Sequence, residues 1–166
     1  NYTITKVAGK LTVTPITTKI VITADSNDKV YDGTALTDSG FTYTRGILLT
    51  GDVLSAVVAG TITNVGTADN AVTSYKVTRG LTDVTGNYTF DPSVKGKLEV
   101  TPRPVTLTSA TDSKVYDGTA LTNGTVTVTG SGWATGEGAA CTVTGSQLDV
   151  GFSDNTFSYL LNTGTL

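Results

Sequence analysis

Lys29-Val30-Tyr31-Asp32-Gly33-Thr34-Ala35-Leu36-Thr37 recurs unchanged 85 residues later as Lys114-Val115-Tyr116-Asp117-Gly118-Thr119-Ala120-Leu121-Thr122. A repeat of that length is a whole module rather than one rung of a solenoid. Inside the stretch, Asp-Gly follows a β-favouring Val-Tyr pair. Glycine enters positive φ without a Cβ clash, and aspartate bonds the backbone two residues on, so Tyr31-Asp32-Gly33 and Tyr116-Asp117-Gly118 are expected to be tight turns. The tyrosine ring is expected to bury itself and keep its hydroxyl near the surface or a backbone partner. A catalytic reading of the triplet lacks an accompanying base, and turn chemistry alone accounts for it.

The register holds without a gap beyond the motif. Thr50-Gly51-Asp52 faces Thr135-Gly136-Glu137, Gly60 faces Gly145, and Val65-Gly66 with Asp69-Asn70 faces Val150-Gly151 with Asp154-Asn155. The first residues match the end of a module instead. Asn1-Tyr2-Thr3 corresponds to Asn87-Tyr88-Thr89, and Gly9-Lys10-Leu11-Thr12-Val13-Thr14-Pro15 to Gly96-Lys97-Leu98-Glu99-Val100-Thr101-Pro102. The expected organisation is therefore residues 1–15 as the terminal strands of a preceding or neighbouring repeat, 16–102 as a complete module, and 103–166 as a second module. That second module stops at the counterpart of Leu81, short of the last two strands. With no methionine, even at position 1, the chain reads as a processed product or a fragment.

Threonine fills about a fifth of the 166 residues, and only 15% are charged. Threonine is β-branched and suits strands better than helix interiors. Lys19–Thr23 is a short apolar run, Phe41-Thr42-Tyr43 alternates like Val126-Thr127-Val128, and further strands are expected over Val53–Thr63, Ala71–Thr78, Asn87–Phe90 and Lys97–Thr101. Gly51–Val58 is the one helical candidate. Its counterpart at 136–144 contains an internal glycine and ends in alternation, which favours a strand. The fold expected is all-β: two tandem β-sandwich-like modules. Pro102 and Pro104 stiffen the junction, so the modules are expected to form an extended rod.

Chemistry is limited by inventory. There is no histidine, one cysteine (Cys141), and only two glutamates. His-based nucleophile pairs and metal sites are excluded, and no glycine-rich phosphate loop opens a helix. No catalytic residue, cofactor or metal is assigned. Asp25-Ser26-Asn27-Asp28 clusters oxygen ligands without EF-hand spacing and reads as a solvated turn. A net charge of −3 argues against nucleic acid, and no apolar run approaches the ~18 residues that cross a bilayer. Trp133, in a glycine-rich loop, is a speculative glycan contact. Its counterpart Leu48 favours packing instead.

Lys-Val-Tyr-Asp-Gly-Thr at 29–34 and 114–119, Gly51-Asp52, Val65-Gly66, Gly86-Asn87-Tyr88-Thr89 and Val100-Thr101-Pro102 together resemble the YDG-type and MBG-type tandem repeats of bacterial surface adhesins. The resemblance implies mostly β domains, some with β-grasp-like relatives. It also implies an extracellular stalk or adhesive segment on the bacterial cell surface rather than a catalyst. The offset ends sharpen the expectation. Tyr2, Ile4, Leu11 and Val13 are candidate donor-strand residues that complete residues 103–166 of a neighbour by strand addition. The expected partners are further copies head to tail, or flanking repeats of the same polypeptide. A host or environmental glycan is the alternative.

Overall fold

The computed structural model describes residues 1–165, apart from the Arg45 side chain. It is all-β: eleven strands and a single 3₁₀ turn over Thr85–Asn87. The strands are β1 Ile20–Ala24, β2 Asn27–Val30, β3 Phe41–Arg45, β4 Asp52–Ala59, β5 Gly66–Arg79, β6 Thr82–Asp83, β7 Gly96–Thr101, β8 Val105–Ser109, β9 Val126–Gly130, β10 Ala139–Val143 and β11 Phe157–Leu161. The chain forms two compact units, one of residues 1–26, 37–60 and 69–97, the other of 27–36, 61–68 and 98 onward. Their borders do not follow the repeats, since three pieces of the first repeat belong to the second unit.

In the first unit β1 pairs antiparallel with β3, and β4 with β5, with a bulge between Val57 and Val58. β6 folds back onto β5 after Gly80 (φ +58°). Alternation along β1 buries Ile20, Ile22 and Ala24, and the core gathers Ile20, Ile22, Leu54, Val77 and Tyr88. Phe90 lies against the Tyr75 ring, with centroids 4.4 Å apart. The expected strand at 87–90 is instead the 3₁₀ turn followed by isolated bridges to β1. Ile20 N–H donates to Thr89 O and Asp91 N–H to Ile20 O, each at 2.9 Å; Val94 N–H donates to Ile22 O at 2.8 Å and Ala24 N–H to Val94 O at 2.9 Å. Pro92 has no N–H to give, so the ladder breaks around it. Asn70 is fully buried and ties two loops, its Nδ2 donating to Asp25 O (2.8 Å) and Asp38 O (3.1 Å).

In the second unit β2 runs parallel to β7, from Asn27↔Leu98 to Val30↔Thr101. Asn27-Asp28, read from sequence as part of a turn, is strand, because the ladder to β7 supplies what residue preference does not. The β8–β9 pair reproduces the register of β1–β3 residue for residue at the repeat offset. β10–β11 is continuous where β4–β5 is bulged, so Ala139 faces Leu161 while its counterpart Leu54 faces Val77. Gly51–Val58 is strand from Asp52, not helix.

Candidate functional site

Both YDG turns are built alike. Asp32 Oδ1 accepts from the Thr34 N–H (2.9 Å), the Thr34 hydroxyl (2.7 Å) and Lys29 Nζ (2.6 Å). Asp117 Oδ1 accepts from the Thr119 N–H (2.9 Å), its hydroxyl (2.8 Å) and Lys114 Nζ (2.8 Å). Gly33 and Gly118 hold φ of +80° and +76°. The lysine ammonium, followed by the threonine donors, holds both aspartates far below the usual carboxylate range.

The tyrosines of the two turns differ. Tyr31 is 9% exposed and Tyr116 is 59% exposed. Tyr31 packs with Leu36, Leu98, Val100 and Ala134. Its hydroxyl donates to the Glu137 carboxylate. That bond, then burial, raises the Tyr31 pKa above the ordinary tyrosine value. Arg103 braces the same contact, with Nε donating to Gly132 O (2.7 Å), Nη2 to Ser131 O, and Nη1 reaching Tyr31 O at 3.4 Å. The first YDG turn is thus seated on the Ser131–Glu137 loop of the following repeat. The expected burial of the motif tyrosine holds for Tyr31 and not for Tyr116, and the Tyr31 hydroxyl meets a side-chain carboxylate rather than a backbone partner. The available signal was the acid kept at Asp52 and Glu137, which marks a position with a recurring partner.

In the first repeat that acid serves a tyrosine of its own module. Asp52 takes a forked contact from Arg79, Nε at 2.6 Å and Nη2 at 3.1 Å, plus the Tyr88 hydroxyl. Arg79 first, then Tyr88, lowers the Asp52 pKa, while burial and the Asp52 bond raise that of Tyr88. Leu49 N–H donates to the Tyr88 oxygen at 3.0 Å.

The second repeat is open where the first is filled. Ile20 and Ile22 are 0% and 2% exposed, whereas Val105 and Leu107 at the same positions are only half-buried. A cavity of about 530 Å³ is lined by Val105, Leu107, Trp133 and Phe157, among others. Their counterparts Ile20, Ile22, Leu48 and Val72 pack in the cluster that holds Tyr88 and Phe90. A second cavity of about 400 Å³ lies over Ala110 and Asn155. Gly96 occupies the corresponding place in the first repeat, so close to the Asp25 carbonyl that a Cβ would collide with it. A third, of about 450 Å³, runs along Asp112, Ser113 and Lys114, the counterparts of strand β2, on which β7 lies. Asn155 Nδ2 already bonds Ala110 O (3.0 Å) and Asn123 O (2.9 Å), the bridge Asn70 makes in the first repeat.

Tyr2, Ile4, Leu11 and Val13 are 97%, 81%, 99% and 96% exposed, and residues 1–15 form no strand in the single chain. Trp133 is half-buried on the wall of the largest of these cavities rather than standing free in its loop. Among the described residues no group of three acids or cysteines is placed to hold a metal, and no helix is long and apolar enough to cross a membrane. No protein-family profile, curated protein or solved structure matches the chain.

Proposed function

We propose that this chain is a structural repeat segment of a bacterial surface protein, an adhesin stalk or extracellular filament whose repeats complete one another. Residues 1–15 fill the open face of residues 103–166 of a neighbour, whether a flanking repeat of one polypeptide or a separate copy. The observation that carries the reading is the match between the three cavities and the places taken by 88–101 in the first repeat. Tyr2 and Ile4 then stand where Tyr88 and Phe90 do, Gly9 where Gly96 does, and Leu11 and Val13 where Leu98 and Val100 do. The Asn1–Gly9 spacing is one residue shorter than Asn87–Gly96. The difference falls in the irregular stretch around Pro92, where the ladder is already broken. A heterologous contact of this kind propagates as a fibre when its rotation does not close into a ring.

The motif resemblance to YDG-type adhesin repeats supports the surface role, and the absence of histidine supports a structural rather than catalytic one. Trp133 on a mostly apolar wall supports packing over sugar stacking. Light scattering of the 166-residue chain tests the proposal. Concentration-dependent growth is expected, and Leu11→Asn with Val13→Asn should weaken it at least ~100-fold, since each loses a buried aliphatic side chain. Growth unaffected by the pair overturns it. Intact mass after denaturation tells covalent from non-covalent joints, a 17.1 kDa species marking the latter.

A further inference from the structure

The contact between Tyr31-Asp32-Gly33 and the Ser131–Glu137 loop lies inside the chain, and each of its halves recurs, unoccupied, elsewhere in the sequence. Ala134, under the first turn, is 6% exposed, and a Cβ at Gly33 would stand 3.7 Å from its Cβ. Gly118, in the identical second turn, has open space around it, and Tyr116 is 59% exposed. Leu49, the counterpart of Ala134, is 52% exposed, and Ile47 beside it 76%. One turn lacks a socket, and one socket lacks a turn. We propose that Tyr116-Asp117-Gly118 docks on the Ile47–Leu49 loop of the next repeat in the array, for this chain a second copy of itself.

The inference rests on the head-to-tail reading and adds to it a second contact, separate from strand addition. The chemistry differs from the inner joint. Glu137 extends far enough to take the Tyr31 hydroxyl, but Asp52 is one methylene shorter and already holds Arg79 and Tyr88, its side chain 1% exposed. The outer joint is therefore an apolar seat for the tyrosine ring, with Gly118 against Leu49, and is indifferent to the hydroxyl.

Two single-cysteine chains in a Cys141→Ala background, one carrying Leu49→Cys and the other Gly118→Cys, test this when mixed and oxidised. The 3.7 Å spacing at the inner joint is that of disulfide-bonded Cβ atoms. A mixed disulfide dimer is expected, identified by mass. Leu49→Asp should weaken self-association about tenfold or more, while Tyr116→Phe should leave it unchanged. Association without a mixed disulfide and without effect of Leu49→Asp overturns the socket and leaves strand addition standing. A mixed disulfide that persists when Leu11→Asn is present on both chains supports the socket and overturns strand addition as its prerequisite. No association and no disulfide overturn both.

Discussion

Tyr31 and Tyr116 sit in identical nine-residue stretches, so whatever separates them comes from elsewhere in the chain. Tyr31 has Glu137, Ala134 and Arg103 around it; Tyr116 does not. Tyr31→Phe is expected to lower the melting temperature measurably, and Tyr116→Phe to leave it unchanged. The sign of the pH dependence follows from the shift. A phenol whose pKa is raised in the folded state contributes stability that is complete below the ordinary tyrosine value near 10. That contribution is lost as pH climbs through the raised value. Absorbance titration at about 295 nm should show the extra phenolate of the parent over Tyr31→Phe appearing only above pH ~10. At the acid end, Asp32 and Asp117 are lowered, so their contribution is complete above the ordinary carboxylate range and is lost only as pH falls far below it. In amide exchange, Thr34 and Thr119, whose N–H groups donate to these carboxylates, should therefore stay protected as pH falls through the ordinary carboxylate range. The Asp-Gly turn was legible in the sequence because its donors lie within five residues. The tyrosine's partner, about a hundred residues away, was not.

At the scale of strands, periodicity located β1, β3, β4, β5 and β7 because their apolar residues alternate or cluster. β2 escaped because Asn27-Asp28-Lys29 carries no apolar pattern; the strand exists by virtue of the parallel partner Leu98–Thr101. The bulge in β4–β5 and its absence in β10–β11 likewise left no mark in a gap-free alignment. Asn70→Ala leaves the Asp25 and Asp38 carbonyls without their shared donor and should cost about 1–3 kcal/mol by urea denaturation. Leu98→Ala, at a fully buried position of β7, should cost about 2–5 kcal/mol. Gly9→Val separates folding from assembly. Nothing lies within 4 Å of a Cβ at Gly9 in the single chain, so melting should not change. If Gly9 takes the place Gly96 has against a carbonyl, the same substitution blocks self-association; unimpaired association contradicts that placement.

For the molecule as a whole, residues 103–166 repeat the pattern of residues 18–81, and residues 1–15 repeat that of 87–102. Those matches were readable from the sequence. That residues 103–166 carry cavities over β8, Asn155 and residues 112–114, the last two sharing Asp112 and Gln147 in their walls, was not, because cavities depend on what packs, not on what recurs. The measurement that bears most directly on this is amide exchange on residues 16–166 titrated with a peptide of residues 1–15. In the first repeat the Ile20, Ala24 and Tyr31 N–H groups donate to Thr89, Val94 and Thr101 carbonyls. Their counterparts Val105, Ser109 and Tyr116 should therefore gain protection together on saturation with the peptide. Binding that leaves those three amides unchanged, or no binding at all, contradicts strand completion.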